Sequence, residues 1–260
     1  NAYEANVVHR VGSNQFAYHI LVQLEKLTIN DDVTVFLPTP PLDDMPKERE
    51  GWKYRIIKPS FLWSMLRLPL ALYTQKFIGK KPDVFYSLGH YAPMFCPFPS
   101  VVSIMDLAYL KFPAFFRKSD AWKLTHWTAS SVKNAAHIIA ISEHTKRDVM
   151  EYYHKSADII TVAYPGYEPQ TLVGQPQRVL ASMNIKKPYI AYVGTIQPRK
   201  NLVRLIKAFE LIASKLKYKD VELIIAGKVG WFADEFVKAV QHSSVMHRIK
   251  LLGFVTDEQK

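Results

Sequence analysis

Apolar residues fall along this chain in two registers. Short unbroken runs occur at Val33–Leu37, Val84–Ser87, Val101–Ile104, His137–Ile141, Ile159–Val162, Tyr189–Val193, Val221–Ala226 and Ile249–Leu252. Unbroken rather than alternating runs of this length predict strands buried on both faces of a parallel sheet. Between them, apolar residues recur at helical spacing over Ser13–Lys26, Ala121–Asn134 and Glu143–Tyr153. Leu202, Leu205, Ile206, Phe209, Ile212 and Leu216 likewise mark one face of a helix. Strands alternating with helices predict an α/β fold with parallel sheets. The stretch from Tyr164 to Lys187 breaks the rhythm with Pro165, Gly166, Pro169, Gly174 and Pro176, then a short helical pattern at Val179–Met183. It predicts two α/β domains, 1–164 and 188–260, joined by the connection 165–187. Ligands of open α/β sheets sit at the carboxyl ends of strands, and a cleft between the two domains is the expected place.

Charge narrows the partners. A net charge of +11 on 260 residues favours an anionic partner: nucleic acid, an acidic membrane surface or phosphorylated small molecules. Nucleic acid is not expected, because the cations are scattered and no basic motif interleaved with stacking aromatics stands out. Cys96 is the single cysteine, so no internal disulfide and no cysteine-rich zinc site is expected. No apolar run reaches the roughly 18 residues of a spanning helix, and Asn1 onward lacks the layout of a signal peptide. A cytoplasmic location is the expectation, with any membrane contact peripheral. The stretch Phe61–Lys81 mixes large apolar residues with Arg67, Lys76, Lys80 and Lys81, interrupted by Pro69. An interfacial element on an anionic bilayer and a buried helix with a basic edge are both open readings of it.

The candidate chemistry lies at strand ends. In "GTIQPRKN", Gly194 to Asn201, two adjacent cations, Arg199 and Lys200, stand at the start of a helix. Positive charge is unfavourable there beside the macrodipole unless an anion occupies the spot. Gly194 and Thr195 open this loop and Asn201 is the expected N-cap; a solvated basic loop is the competing reading. Gly12 and Ser13 precede the first amphipathic helix, Ser13 as its cap and Gly12 allowing close backbone approach by a ligand, or the pair being an ordinary turn and cap. Asp106 and His90 stand at two further strand ends, as cleft residues or as a turn-forming aspartate and a surface histidine. No H-E-x-x-H, D-x-D or G-x-S-x-G occurs, which points away from a tightly held metal and from a serine nucleophile. Glu143 and Glu151, with Lys146, Arg147 and Asp148 as neighbours, read as a solvated, salt-bridged helix face.

Taken in order, these segments resemble the family-4 retaining glycosyltransferases of the GT-B fold. The resemblance rests on "NAYEANVVHRVGSNQFAYHIL", "VVSIMDLAYLKFP", "AAHIIAISEHTKRDVMEYY", "ITVAYPGYE", "YIAYVGTIQPRKNLVRLIKAF", "VELIIAGKVGW" and "IKLLGFVTDEQ". It implies two Rossmann-like domains, the second only partly present, that transfer a sugar from a nucleotide-diphosphate donor to a glycan or lipid-linked acceptor. It further implies that Arg199 and Lys200 hold the donor diphosphate and act on the leaving group. Gly12 and Ser13, Gly194, Thr195 and Asn201 would line the donor, and the Val255 backbone would lie beside the nucleobase. Asp106, with His90, falls on the acceptor side. No cofactor is implied, the nucleotide-sugar being a substrate, and same-face attack needs no enzymic nucleophile. The chain departs from the family pattern where Met105 replaces a histidine before Asp106, and where Thr195 replaces an arginine. It also stops at Lys260, before the family's E-x7-E segment, and its first strand is expected upstream of Asn1. The expectation is therefore a portion of a larger enzyme, or a form completed by a second chain, that transfers sugar poorly by itself. A non-catalytic phosphate-binding module is the alternative.

Overall fold

The computed structural model describes residues 1–79, 81–89, 91–167, 175–256 and 259. It divides into two units: Asn1–Pro113 with Lys118–Tyr167, and Ala114–Arg117 with the residues from Glu168 onward.

The first unit is built from α1 (Ser13–Leu27), β1 (Val33–Leu37), β2 (Trp52–Ile56), α2 (Leu68–Phe77), β3 (Phe85–Ser87), β4 (Ser100–Ile104), α3 (Ala108–Lys111), α4 (Lys118–Asn134), β5 (His137–Ala140), α5 (Glu143–Tyr153) and β6 (Ile160–Val162). β1 pairs in parallel with β2, and β3-β4-β5-β6 form a second parallel sheet. Asn1 and Ala2 reach both sheets: the Ala2 N–H donates to the Phe36 carbonyl, and the Leu88 N–H donates to that of Asn1. The unbroken apolar run of β1 is explained by what covers it. Val35 and Leu37 pack with Ala17 and Leu21 of α1. Phe36, one position out of step, packs with Trp63, Leu68, Leu72 and Phe85. Successive side chains of a strand alternate faces, so β1 is covered on both faces over Val35–Leu37, at about 1.5–3 kcal/mol per large side chain, while Thr34 stays exposed.

Three sequence expectations change here. β2 was not foreseen, because "WKYRI" interleaves Lys53 and Arg55 with apolar residues and pairs on one side only. Pro69 does not interrupt its stretch. It stands at the start of α2, where its missing N–H needs no partner, and the preceding turn Trp63–Arg67 is π-helical. Asp148 of α5 is not part of a solvated face. It is buried, accepts from Lys111 Nζ at 2.6 Å, and lies 3.5 Å from His144 Nε2, while Glu143, Arg147 and Glu151 are exposed.

The second unit contains α6 (Pro176–Ser182), β7 (Tyr189–Val193), α7 (Leu202–Ala213), β8 (Glu222–Ala226), α8 (Asp234–Gln241) and β9 (Ile249–Gly253). Its parallel sheet has the order β7-β8-β9. Every residue of β8 is buried, whereas β7, expected to be buried, is exposed along most of its length. The reason is position: only the middle strand has neighbours on both sides, and β7 presents an apolar edge. Leu202, Ile206, Phe209 and Ala213 form the buried stripe of α7, together with Phe236 and Val240 of α8. Leu216 falls outside that stripe and is exposed, because α7 ends at Ala213 and a separate turn begins. Arg248 is buried beneath this layer. Its guanidinium donates to the carbonyls of Val221, Ala213 and Tyr218 and lies 5.4 Å from the Phe209 ring centre, so the charge is held by backbone dipoles.

Candidate functional site

In the second unit the loops leaving the three parallel strands meet. The Gly194 N–H donates to the Ala226 carbonyl at 2.9 Å, and the Gly227 N–H donates to that of Gly253 at 2.6 Å. Ile196 then joins the β7 and β8 loops: its N–H donates to the Lys228 carbonyl at 2.9 Å, and its own carbonyl accepts from Gly230 at 2.8 Å. Gly194 and Thr195, which follow β7, and Val255, which follows β9, thus lie at the same end of the sheet, where ligands of α/β folds bind. A side chain at Gly227 is excluded, since a Cβ there would lie 1.9 Å from the Gly194 carbonyl oxygen, at φ +147.

Arg199 and Lys200 occupy a 3-10 turn, Pro198–Lys200, immediately before α7, and both are exposed. Asn201 takes the N-cap position, but its side chain makes no capping hydrogen bond; this corrects the expectation. Its backbone is left-handed (φ 54, ψ 40), a conformation that asparagine tolerates better than most residues, and this turns the chain from the 3-10 turn into α7. The loop is braced from below. The Tyr192 hydroxyl donates to the Thr195 carbonyl at 3.3 Å. Burial pushes the Tyr192 hydroxyl above its ordinary pKa, and the nearby Arg199 cation partly opposes that. Gln197 is buried, its amide oxygen without a partner among the described residues. Lys228 adds a third exposed cation, its ammonium 5.1 Å from the Phe254 ring centre. Tyr192, Gln197 and Lys228 were missed from the sequence, although a lysine directly after a strand-end glycine was a signal open to use.

In the first unit Gly12, not Ser13, is the N-cap of α1, at φ 50 and ψ −111, a region that glycine enters without strain. Ser13 is the first helical residue and makes no side-chain cap, which corrects its expected role. The approach to Gly12 is pinned by Arg10. Its guanidinium donates to both carboxylate oxygens of Asp44 and, through Nε, to the Ala5 carbonyl at 2.7 Å, and it stacks 3.9 Å over the Tyr18 ring. These hydrogen bonds hold the Asp44 carboxyl below its ordinary pKa. A depressed carboxylate contributes stability above its unfolded pKa and loses it as pH falls through the folded value. Wild type is therefore expected to be more stable than Asp44→Asn at about pH 6, by less than about 1 kcal/mol because Asp44 is half-exposed, with the gap closing below about pH 4. Thermal melts of both proteins across that range check it.

Asp106 follows β4, and its carboxylate accepts the Ala108 N–H at 3.0 Å, as a turn-forming aspartate does. Met105 is buried and its carbonyl accepts from Thr145 Oγ1. His90 lies outside the described residues. Next to it in sequence, Gly89 and Tyr91 line a cavity of about 140 Å³ with Tyr3, Glu4, Ser64 and Trp127. The Tyr91 and Trp127 rings meet edge to face at 5.3 Å, and burial pushes the Tyr91 hydroxyl up to about 12. Burial also raises Glu4, opposed by the 2.6 Å hydrogen bond that its carboxylate accepts from Asn14. Aromatic faces beside a carboxyl suit a hydroxyl-rich ligand. Among the described residues, no three His, Cys, Asp or Glu side chains are grouped to hold a metal ion.

Residues 11–171 match the profile of Glycosyltransferase Family 4, and residues 180–260 that of Glycosyl transferases group 1. The O-antigen chain mannosyltransferase B of Escherichia coli is 23% identical over 163 residues, covering 61% of this chain and 42% of that protein, so the matched part is under half of the relative's length. Among solved structures, Anabaena HepE in complex with UDP-glucose aligns with a TM-score of 0.62 at 16% identity, over 98% of this chain and 69% of its own. WaaG, a glycosyltransferase involved in lipopolysaccharide biosynthesis, aligns with a TM-score of 0.64 at 14% identity, over 95% of this chain and 68% of its own. At these identities the likeness establishes the fold, which is that of the GT-B glycosyltransferases.

Proposed function

This chain belongs to glycosyltransferase family 4, and on that premise we propose that it acts in moving a sugar from a nucleotide-diphosphate donor to a glycan or lipid-linked acceptor. The observation that carries the reading is the convergence of strand-end loops in the second unit, with Arg199, Lys200 and Lys228 exposed around them. Cleaving a glycosyl–phosphate bond builds negative charge on the departing diphosphate. Cations and backbone N–H groups held in place before the reaction stabilise that charge without reorganising. Thr195, Gly194 and Asn201 shape the loop that presents them, and Val255 stands where the β9 loop would meet the base. A donor of the kind bound by HepE, UDP-glucose, is consistent with that layout.

The first unit supplies the acceptor side through the cavity beside Gly89, with Asp106 just past the end of β4. The reaction is proposed to retain configuration by same-face attack, as the resemblance to the retaining family implies; that route asks for no covalent nucleophile from the protein. Buried Met105, where the family pattern has a histidine, favours a second reading, a module that binds nucleotide sugar without turnover. The complete gene product, assayed against a panel of nucleotide sugars for released nucleoside diphosphate, separates the two. Acceptor-dependent release supports the enzyme, saturable binding without release supports the module, and neither would refute both.

A further inference from the structure

We propose that Glu4 sets the class of acceptor: it holds an uncharged, hydroxyl-rich sugar ring in the cavity beside Gly89 and turns away rings that carry a carboxylate or a phosphate. The proposal rests on the reading of that cavity as the acceptor side. Glu4 lies in the 3-10 turn Tyr3–Ala5, which Ala2 and Ala5, both buried, fix at its two ends. Asn14, in the first turn of α1, clamps the residue twice. Its side-chain amide donates to the Glu4 carbonyl at 3.0 Å and to carboxylate Oε2 at 2.6 Å. That bond engages one carboxylate oxygen, and Oε1 is a second acceptor that the carboxyl can offer a ligand. Gly89 leaves room for the side chain, since a Cβ there would lie 2.8 Å from Glu4 Cγ and 3.7 Å from Cδ. The carboxyl therefore has a defined place in the cavity wall.

The surroundings decide what such a carboxyl binds. Tyr3, Ser64, Tyr91 and Trp127 line the cavity with it, and they bring hydroxyls, an indole and ring faces. The chain carries 34 lysines and arginines, yet among the described residues none of them lines this cavity. An anionic ring would meet Glu4 at short range with no lysine or arginine to offset it, and the enclosing walls strengthen that repulsion. A sugar hydroxyl meets the opposite situation. It donates to a charged acceptor, a bond roughly twice as strong as one between neutral groups. The C–H faces of the ring can pack on Tyr91 and Trp127, whose own rings meet edge to face at 5.3 Å. Where one water needs roughly 10–15 Å³, a cavity of about 140 Å³ admits a ring rather than a lone solvent molecule.

The test titrates the complete gene product by NMR with pairs of octyl glycosides that differ only at C6: glucoside and glucuronide, galactoside and galacturonide, mannoside and mannuronide. At least one neutral glycoside is expected to bind, at least about tenfold more tightly than its uronide partner. Glu4→Gln keeps the shape of the side chain and an oxygen for Asn14 but removes the charge. It is expected to bring that pair to within about threefold of each other, with an unchanged melting temperature. Binding of no neutral glycoside, equal or tighter binding of the uronide by wild type, or a preference that Glu4→Gln leaves intact overturns the proposal. Release of nucleoside diphosphate from nucleotide sugars, followed on the same protein, keeps this result apart from the transfer reading. Release without the neutral preference overturns the role of Glu4 alone. A Glu4-dependent preference without release supports that role and counts against transfer.

Discussion

Replacing Arg199 with alanine is expected to lower kcat/KM for sugar transfer by about 10²- to 10³-fold, and replacing Lys200 by a similar amount. Both side chains are exposed and sit in a turn shaped by Pro198 and by the left-handed backbone of Asn201, so neither supports the core. Removing them should leave the folding stability within about 0.5 kcal/mol of wild type. The charge they meet grows as the diphosphate departs, so kcat should fall more than the donor KM rises. Arg199→Lys separates charge from geometry. It keeps the cation but loses the planar fork, and restores activity only partly if two phosphate oxygens are gripped at once. Steady-state kinetics on the complete gene product would decide it. A change of less than threefold for both alanine variants would show that this turn does not hold the leaving group.

Gly227→Ala is expected to cost about 3 kcal/mol or more of stability, a fall in melting temperature of roughly 10 °C. The added methyl would meet the Gly194 carbonyl oxygen at 1.9 Å and its carbon at 2.6 Å, and both are backbone atoms with no rotamer to relieve the clash. Relief requires β7 and β8 to part at the end where Ile225 and Ala226 already shift register against β9. Gly12→Ala is the control. Its backbone also has positive φ, but a methyl there meets nothing within 4 Å. It should show conformational strain alone, about 1–3 kcal/mol. If the two variants melt alike, the steric account of Gly227 is wrong.

Periodicity made much of this architecture legible before any coordinates. The continuous runs at Val33–Leu37 and Tyr189–Val193 coincide with strands, because β-branched and aromatic runs between turn residues have few other places to go. Burial was less legible. "YIAYV" reads as interior, yet whether a strand lies inside depends on its neighbours in the sheet, which local sequence does not encode. "WKYRI" escaped because a strand paired on one side has no need of an unbroken apolar run. At the candidate site the contrast is sharper. Arg199 and Lys200 stood out because adjacent cations at a helix start conflict with local electrostatics. Arg10 did not, because its partner Asp44 is 34 residues away and only the fold makes the pair. Ser13 and Asn201 were read as caps from residue type, but capping also needs the side chain turned back toward the helix, and here the backbone conformation takes that role.

The two hydrogen bonds through Ile196 bear on the entropy of ligand capture. A free loop that closes around a diphosphate must give up backbone freedom worth about 1–2 kcal/mol for each residue it orders. The loop from Gly194 to Lys200 is tied to its neighbour at Ile196 and braced at Thr195 by Tyr192. Most of that freedom has therefore been surrendered in folding, before any ligand arrives. Diphosphate binding at this turn should then show little ordering penalty in calorimetry, with affinity set by charge and fit.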